Sequence, residues 1–170
     1  MDKDLASVQE VRDMLRKARE AADQFKTFSQ DQVDRIVQAM AERSLAAAKR
    51  LAEMAVEETG YGRAEDKTTK NVFASRHLLE HIQPIRTCGI VHHDETNKVV
   101  EIAVPMGIVA ALVPCTNPTS TAIYKTIIAL KARNAIVFSP HPKALNCILE
   151  SVRILGEAAA SVGAPRNLVQ

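Results

Sequence analysis

Apolar positions recur at helical spacing from the start of the chain to Ile82, and each run is bracketed by residues that start and stop helices. Ser7-Val8-Gln9-Glu10 has the spacing of a capping box, which predicts a helix from there to about Asp23. Ser29-Gln30-Asp31-Gln32 repeats that signature ahead of Val33, Ile36, Val37 and Met40, which fall on one helical face. The pattern continues through Leu45, Leu51 and Met54, with one break, until Gly60 and Gly62 offer the positive φ that ends helices. A third helix is expected over 64–82, stopping before Pro84.

After Thr87 the helical period disappears. Ile90-Val91, a polar tip at Asp94-Glu95-Thr96-Asn97, and Val99-Val100-Glu101-Ile102 read as a hairpin. Residues 107–113 are apolar on both faces, as in a central parallel strand covered by helices. A helix over 119–131, a strand over 135–138 and a helix over 143–162 follow, giving β-α-β-α order and a right-handed parallel unit. The fold class is therefore α/β, a three-layer αβα arrangement. It divides into an N-terminal helical segment over 1–86, a linking hairpin over 87–104, and a β-α-β-α portion of a nucleotide-binding domain over 105–170. A doubly wound domain needs about five or six parallel strands, so this one is expected to be incomplete. Residues 163–170 read as a turn toward a third strand that is not supplied.

Composition narrows the function. A net charge of +2 gives no reason to expect nucleic acid or an anionic membrane as partner. Aromatic residues are 4% of the chain with no Trp, which leaves few platforms for stacking single-stranded bases. Three cysteines without Cys-x-x-Cys spacing argue for reduced thiols. No apolar run approaches the roughly 18 to 20 residues that span a bilayer. The charged start, Met1 to Leu5, does not resemble a signal peptide, so a cytoplasmic protein is expected.

The chemistry concentrates where strands meet helices. Val113-Pro114-Cys115-Thr116-Asn117-Pro118-Thr119-Ser120 closes the first parallel strand and opens a helix; Phe138-Ser139-Pro140-His141-Pro142 closes the second. Backbone N–H groups and polar side chains at the carboxyl edge of a parallel sheet suit nucleotides and anions, although Thr, Asn and Ser also serve as ordinary helix caps. No Gly-x-Gly-x-x-Gly phosphate loop occurs. Cys115 has no base nearby in sequence, and packing is its expected role; Cys88 and Cys147 read as core residues. His77-Leu78-Leu79-Glu80-His81 matches the His-x-x-Glu-His pattern of inverted zinc proteases, with Glu157 as a third ligand, and stands as a remote alternative. His92 and His93 read as a polar strand end, and Lys67 and Lys70 as surface residues.

The two turns, in the wording NPTSTAIYK and FSPHP, resemble the acylating, CoA-dependent aldehyde dehydrogenases, including the aldehyde dehydrogenase half of bifunctional aldehyde-alcohol dehydrogenases. The resemblance covers essentially the whole chain: the first helix, Val56-Glu57-Glu58-Thr59-Gly60, Glu65-Asp66-Lys67, Thr87-Cys88-Gly89 and both turns. Hydrolytic relatives carry PWN and KPSE at the corresponding turns. A gap-free match puts Thr116 where those relatives have an oxyanion-stabilising Asn, with Asn117 one place later, so either is the catalytic donor. It puts Ser139 where they have a ribose-contacting Lys.

The resemblance implies that NAD binds a groove formed by Pro114, Cys115, Thr116, Ser139, Pro140 and His141, and that coenzyme A reuses it after NADH leaves. It implies an N-terminal part of an enzyme converting a small aldehyde and CoA to acyl-CoA through a Cys thioester. The nucleophilic Cys is expected C-terminal to the matched region, and the protein is expected to form homo-oligomers. Acetaldehyde, sulfoacetaldehyde and succinate semialdehyde all remain open as substrates, because the residues choosing among them are expected outside the matched region. The alternative is a truncated, non-catalytic fragment that serves only in nucleotide binding or subunit assembly.

Overall fold

The computed structural model describes residues 3–170. Met1 and Asp2, part of the charged start invoked against a leader, lie outside the described residues. Helix α1 spans Lys3–Phe25 and already contains Ser7, so the box at Ser7–Glu10 does not start it. A Ser-x-x-Glu spacing marks a helix start only where the preceding residues are not themselves helical. Helix α2, Gln30–Ala46, does open with the expected box: Ser29 accepts from the Gln32 N–H, and the Gln32 side chain accepts from the Ser29 N–H at 2.8 Å. Val33, Ile36, Val37 and Met40 are all buried.

The break falls at Ala47, and α3 continues over Ala48–Thr59. Gly60 ends it with φ of 70° and donates its N–H to Val56. Helix α4, Ala64–Val72, passes through a single π-helical turn at Phe73–His77 into α5, Leu78–Ile82. The sequence showed one helix here; the widened turn is invisible to a 3.6-residue pattern. Strands β1, Gly89–Asp94, and β2, Val99–Ala103, form the antiparallel hairpin.

The remainder is β3, Ile108–Val113; α6, Pro118–Lys131; β4, Ala135–Pro140; and α7, Leu145–Ser161. β3 and β4 pair in parallel, from Ile108 against Ala135 to Val113 against Pro140. Helix α1 packs on these strands from one side and α6 and α7 from the other, with α2 laid over α6 and α7. Ile36, Met40, Ile123, Ile127, Leu130, Ile136, Ile148 and Leu155 fill the interior with almost no exposure.

Two expectations about the sheet are corrected. The third strand does begin: Ile136 donates its N–H to Leu168 and Gln170 returns an N–H to Ile136, so 168–170 add to β4 in parallel. Consequently β4 is the middle strand and β3, expected to be central, is the edge strand among the described residues. Leu112 on β3 is 73% exposed. An apolar run reports the burial a strand is suited to, not the partners it has within a given length of chain.

Candidate functional site

The carboxyl edges of β3 and β4 end in the two turns singled out from the sequence, and the register brings them side by side. Leu112 pairs with Ser139 and Val113 with Pro140. Leu112, Val113, Pro114, Ser139, Pro140 and His141 line one open cavity of about 360 Å³. His141 accepts the Lys143 N–H at Nδ1, which puts the proton of the neutral ring on Nε2. The Ser139 side chain and the His141 ring thus stand together at the strand edges.

A second open cavity, of about 520 Å³, lies on the other side of the first turn. Its lining joins Asn117, Ser120, Thr121 and Tyr124 to Thr69, Lys70, Phe73 and Ala74 from α4 and the π-helical turn. Pro114 thus stands in one cavity and Asn117 in the other. Thr116 and Cys115, named with them from sequence, line neither. Thr116 is exposed, while Cys115 is half-buried against the cluster of Ala55, Val113, Ala144, Cys147 and Ile148. Packing is its visible role, as the sequence indicated.

Asn117 occupies the N-cap position of α6 without capping it: its side chain makes no cap bond, and Pro118 follows at the first helical position. Its amide oxygen instead accepts from Lys70 Nζ at 2.9 Å. Lys67, one turn earlier on α4, donates from Nζ to the Thr116 carbonyl at 2.7 Å. Asn71 accepts from the Thr119 hydroxyl and donates to the Ala48 carbonyl, both at 2.9 Å. Lys67, Lys70 and Asn71 form one stripe of α4 that grips the turn, which corrects the surface assignment of Lys67, whereas Lys70 is exposed as expected. Lys67 is 5% exposed, and burial, followed by the Lys70 charge, holds its ammonium below the ordinary lysine value. No local signal marked the two lysines, because the groups they hold lie 49 and 47 residues away in sequence.

The start of α7 is also occupied. Glu58, at the end of α3, accepts the N–H groups of Asn146 and Cys147 at 2.7 and 2.8 Å. Burial pushes the Glu58 carboxyl up, but these bonds outweigh it and leave it below the usual range. Cys147 is affected in the opposite sense: burial first, then the Glu58 carboxylate, push its thiol up to about 12. A cysteine in the first turn of a helix is often an activated thiolate; this one is not. Because Glu58 titrates lower in the folded state, its stabilising contribution is present above the ordinary glutamate pKa of about 4.3 and is lost as pH falls through the depressed value. Urea midpoints at neutral and acid pH should therefore differ less in Glu58→Gln than in the wild type; an unchanged difference contradicts this assignment.

The zinc alternative finds no support in the geometry. Among the described residues no three His, Cys, Asp or Glu side chains converge. Glu80 is bonded to His77 at 3.1 Å, and Glu157 is engaged by Arg153. No helix of the described residues is long and apolar enough to cross a membrane.

Parallel strands whose carboxyl edges open into helix-starting turns, with helices on both sides, define a nucleotide-edge α/β protein. Comparison with known proteins gives the family: the aldehyde dehydrogenase family matches residues 2–170, and the chain belongs to it. The bifunctional aldehyde-alcohol dehydrogenase AdhE of Escherichia coli K12 is 42% identical over 97% of this chain and 18% of its own length. The crystal structure of an acetylating aldehyde dehydrogenase from Geobacillus thermoglucosidasius superposes with a TM-score of 0.96 at 52% identity, covering 99% of this chain and 37% of that one. The structure of Rhodopseudomonas palustris propionaldehyde dehydrogenase with bound CoA and an acylated cysteine matches with a TM-score of 0.79 at 32% identity, covering 93% and 36%. The chain thus spans about a fifth of the length of the first of these and over a third of the other two. Its likeness is to the N-terminal region of CoA-dependent, acylating members.

Proposed function

We propose that this chain supplies the cofactor groove and the oxyanion donor of an NAD-dependent acylating aldehyde dehydrogenase, which converts a small aldehyde and CoA to an acyl-CoA. The observation that carries this reading is the turn with one end in each of two cavities. Pro114 borders the groove at the strand edges and Asn117 borders the apolar cavity beside α4. An oxidation by hydride transfer needs cofactor and aldehyde to approach from two sides and meet in direct contact, and a turn bordering both cavities can receive one from each side.

The groove fits a dinucleotide in chemistry: strand-edge backbone, the Ser139 hydroxyl and the His141 ring N–H face ribose and adenine without a fixed charge. When bound, NAD supplies the hydride acceptor. The chain's own part is to hold the ribose at Ser139 and His141, to keep the turn rigid through Lys67 and Asn71, and to donate from the Asn117 amide to the aldehyde oxygen as negative charge develops there. Asn117 is favoured over Thr116 because it faces a cavity and its amide oxygen is already bonded, leaving two N–H donors.

None of the three cysteines suits the attacking role: Cys88 and Cys147 are buried and Cys115 packs against the interior. In keeping with the family resemblance, the thioester is proposed to be carried by a cysteine outside these 170 residues. The protein is further proposed to be cytoplasmic and to pair with copies of itself. Exposed Ile90, Ile102 and Val104 on and beside the hairpin provide apolar surface for that contact.

Calorimetry and a coupled assay test the reading together. The 170-residue chain should bind NAD without turning over aldehyde and CoA. Absence of any NAD binding, or turnover by these residues alone, contradicts it.

A further inference from the structure

We propose that Lys70 is a positioning residue for the oxyanion donor: its ammonium sets the orientation of the Asn117 amide, so that Nδ2 and not Oδ1 meets the aldehyde oxygen. This rests on the role given to Asn117 above. An asparagine amide has two ends of nearly equal size and opposite hydrogen-bonding character, and only one of them stabilises an oxyanion. Something must choose between them. Lys70 can only donate, and its Nζ lies 2.9 Å from Asn117 Oδ1. The flipped amide would set an NH₂ group against an ammonium and forfeit a charge-assisted hydrogen bond.

Among the described residues no other hydrogen bond orients this side chain. Asn117 holds the N-cap position with φ of −137° and ψ of 61°, yet makes no cap bond. The chain on either side is pinned without Lys70: Lys67 holds the Thr116 backbone carbonyl, and Asn71 accepts from the Thr119 side-chain hydroxyl. Removing the Lys70 ammonium therefore leaves the turn in place and frees only the amide. Lys70 is itself exposed and borders the same cavity as Asn117, so its replacement disturbs no core packing.

The test uses the protein at its full natural length, with kcat and KM measured for Lys70→Arg, Lys70→Met and Lys70→Glu, alone and with Asn117→Ala. Arginine is also donor-only and should retain most of the turnover. Methionine should lower kcat about tenfold, the effect of one lost orienting hydrogen bond. Glutamate accepts only, so it should reverse the amide and approach the loss caused by Asn117→Ala itself. KM for NAD should stay unchanged throughout. In the Asn117→Ala background the Lys70 substitutions should have no further effect.

If Lys70→Met lowers kcat equally in both backgrounds, the lysine acts independently of Asn117 and the inference falls while the role of Asn117 stands. If Asn117→Ala is itself silent, that role falls and takes the inference with it. If Lys70→Glu proves unstable, Lys70→Arg and Lys70→Met decide the matter by the same cycle.

Discussion

Replacing Asn117 by alanine in the full-length protein is expected to lower kcat by roughly 10²–10³-fold, with KM for NAD little changed. That is the usual consequence of deleting one preorganised oxyanion donor. The expectation follows from where the residue sits and from what it does not do. As an N-cap it would contribute about 1 kcal/mol of stability, but its side chain makes no cap bond. Its bonded oxygen faces Lys70 and its N–H donors are free to serve a ligand in the adjoining cavity. Thr116→Ala is the matched control, because Thr116 is exposed and contributes only its backbone carbonyl, to Lys67. Steady-state kinetics on the two variants distinguish them. Comparable losses in both, or a loss below about threefold in Asn117→Ala, would transfer the oxyanion role elsewhere.

The second large effect concerns stability. Lys131 closes α6 with its side chain 5% exposed and its ammonium 2.6 Å from Asp34 on α2. A weaker 3.4 Å bond reaches the Gln83 carbonyl, so this group joins α6, α2 and the end of α5. Removing one partner of a buried pair strands the other charge, which typically costs about 3–5 kcal/mol. Because the Asp34 side chain is 33% exposed, water can reach the site, and Asp34→Ala is expected near the lower end of that range, a Tm fall on the order of 10 °C. Lys131→Met added to Asp34→Ala should recover most of the loss, since the buried charge is then gone. Thermal unfolding of the single and double variants measures both effects. A double variant no better than Asp34→Ala would show that the pair, and not the stranded charge, is what matters.

The elements that local pattern could reveal were those whose causes are local. Val33, Ile36, Val37 and Met40 lie one helical turn apart and are buried together; Ser29 and Gln32 cap each other within three residues. The apolar β-α-β-α run gave the layer order because each element's period is set by its own burial. The candidate site was legible only in part for the same reason. Ser139, Pro140 and His141 stand where the strand edge predicts. The partners of Asn117 and Thr116 lie 47 and 49 residues away on another helix, and a lysine in a polar stretch looks identical whether it is solvated or gripping a turn. Glu58 is likewise 88 residues from the helix start that it occupies. The error at Ser7 has the converse origin: a capping pattern recurred inside a helix that its neighbours had already formed.

The turn between β3 and α6 is proposed to divide a cofactor groove from a substrate cavity. The most direct test is to titrate the ¹⁵N-labelled chain with NAD and map which backbone amides shift. Saturable shifts at Val113, Ser139 and His141, with Phe73 and Tyr124 little affected, are the expected result. Shifts centred on Phe73 and Tyr124, or none at the strand edges, would contradict the division of the two cavities.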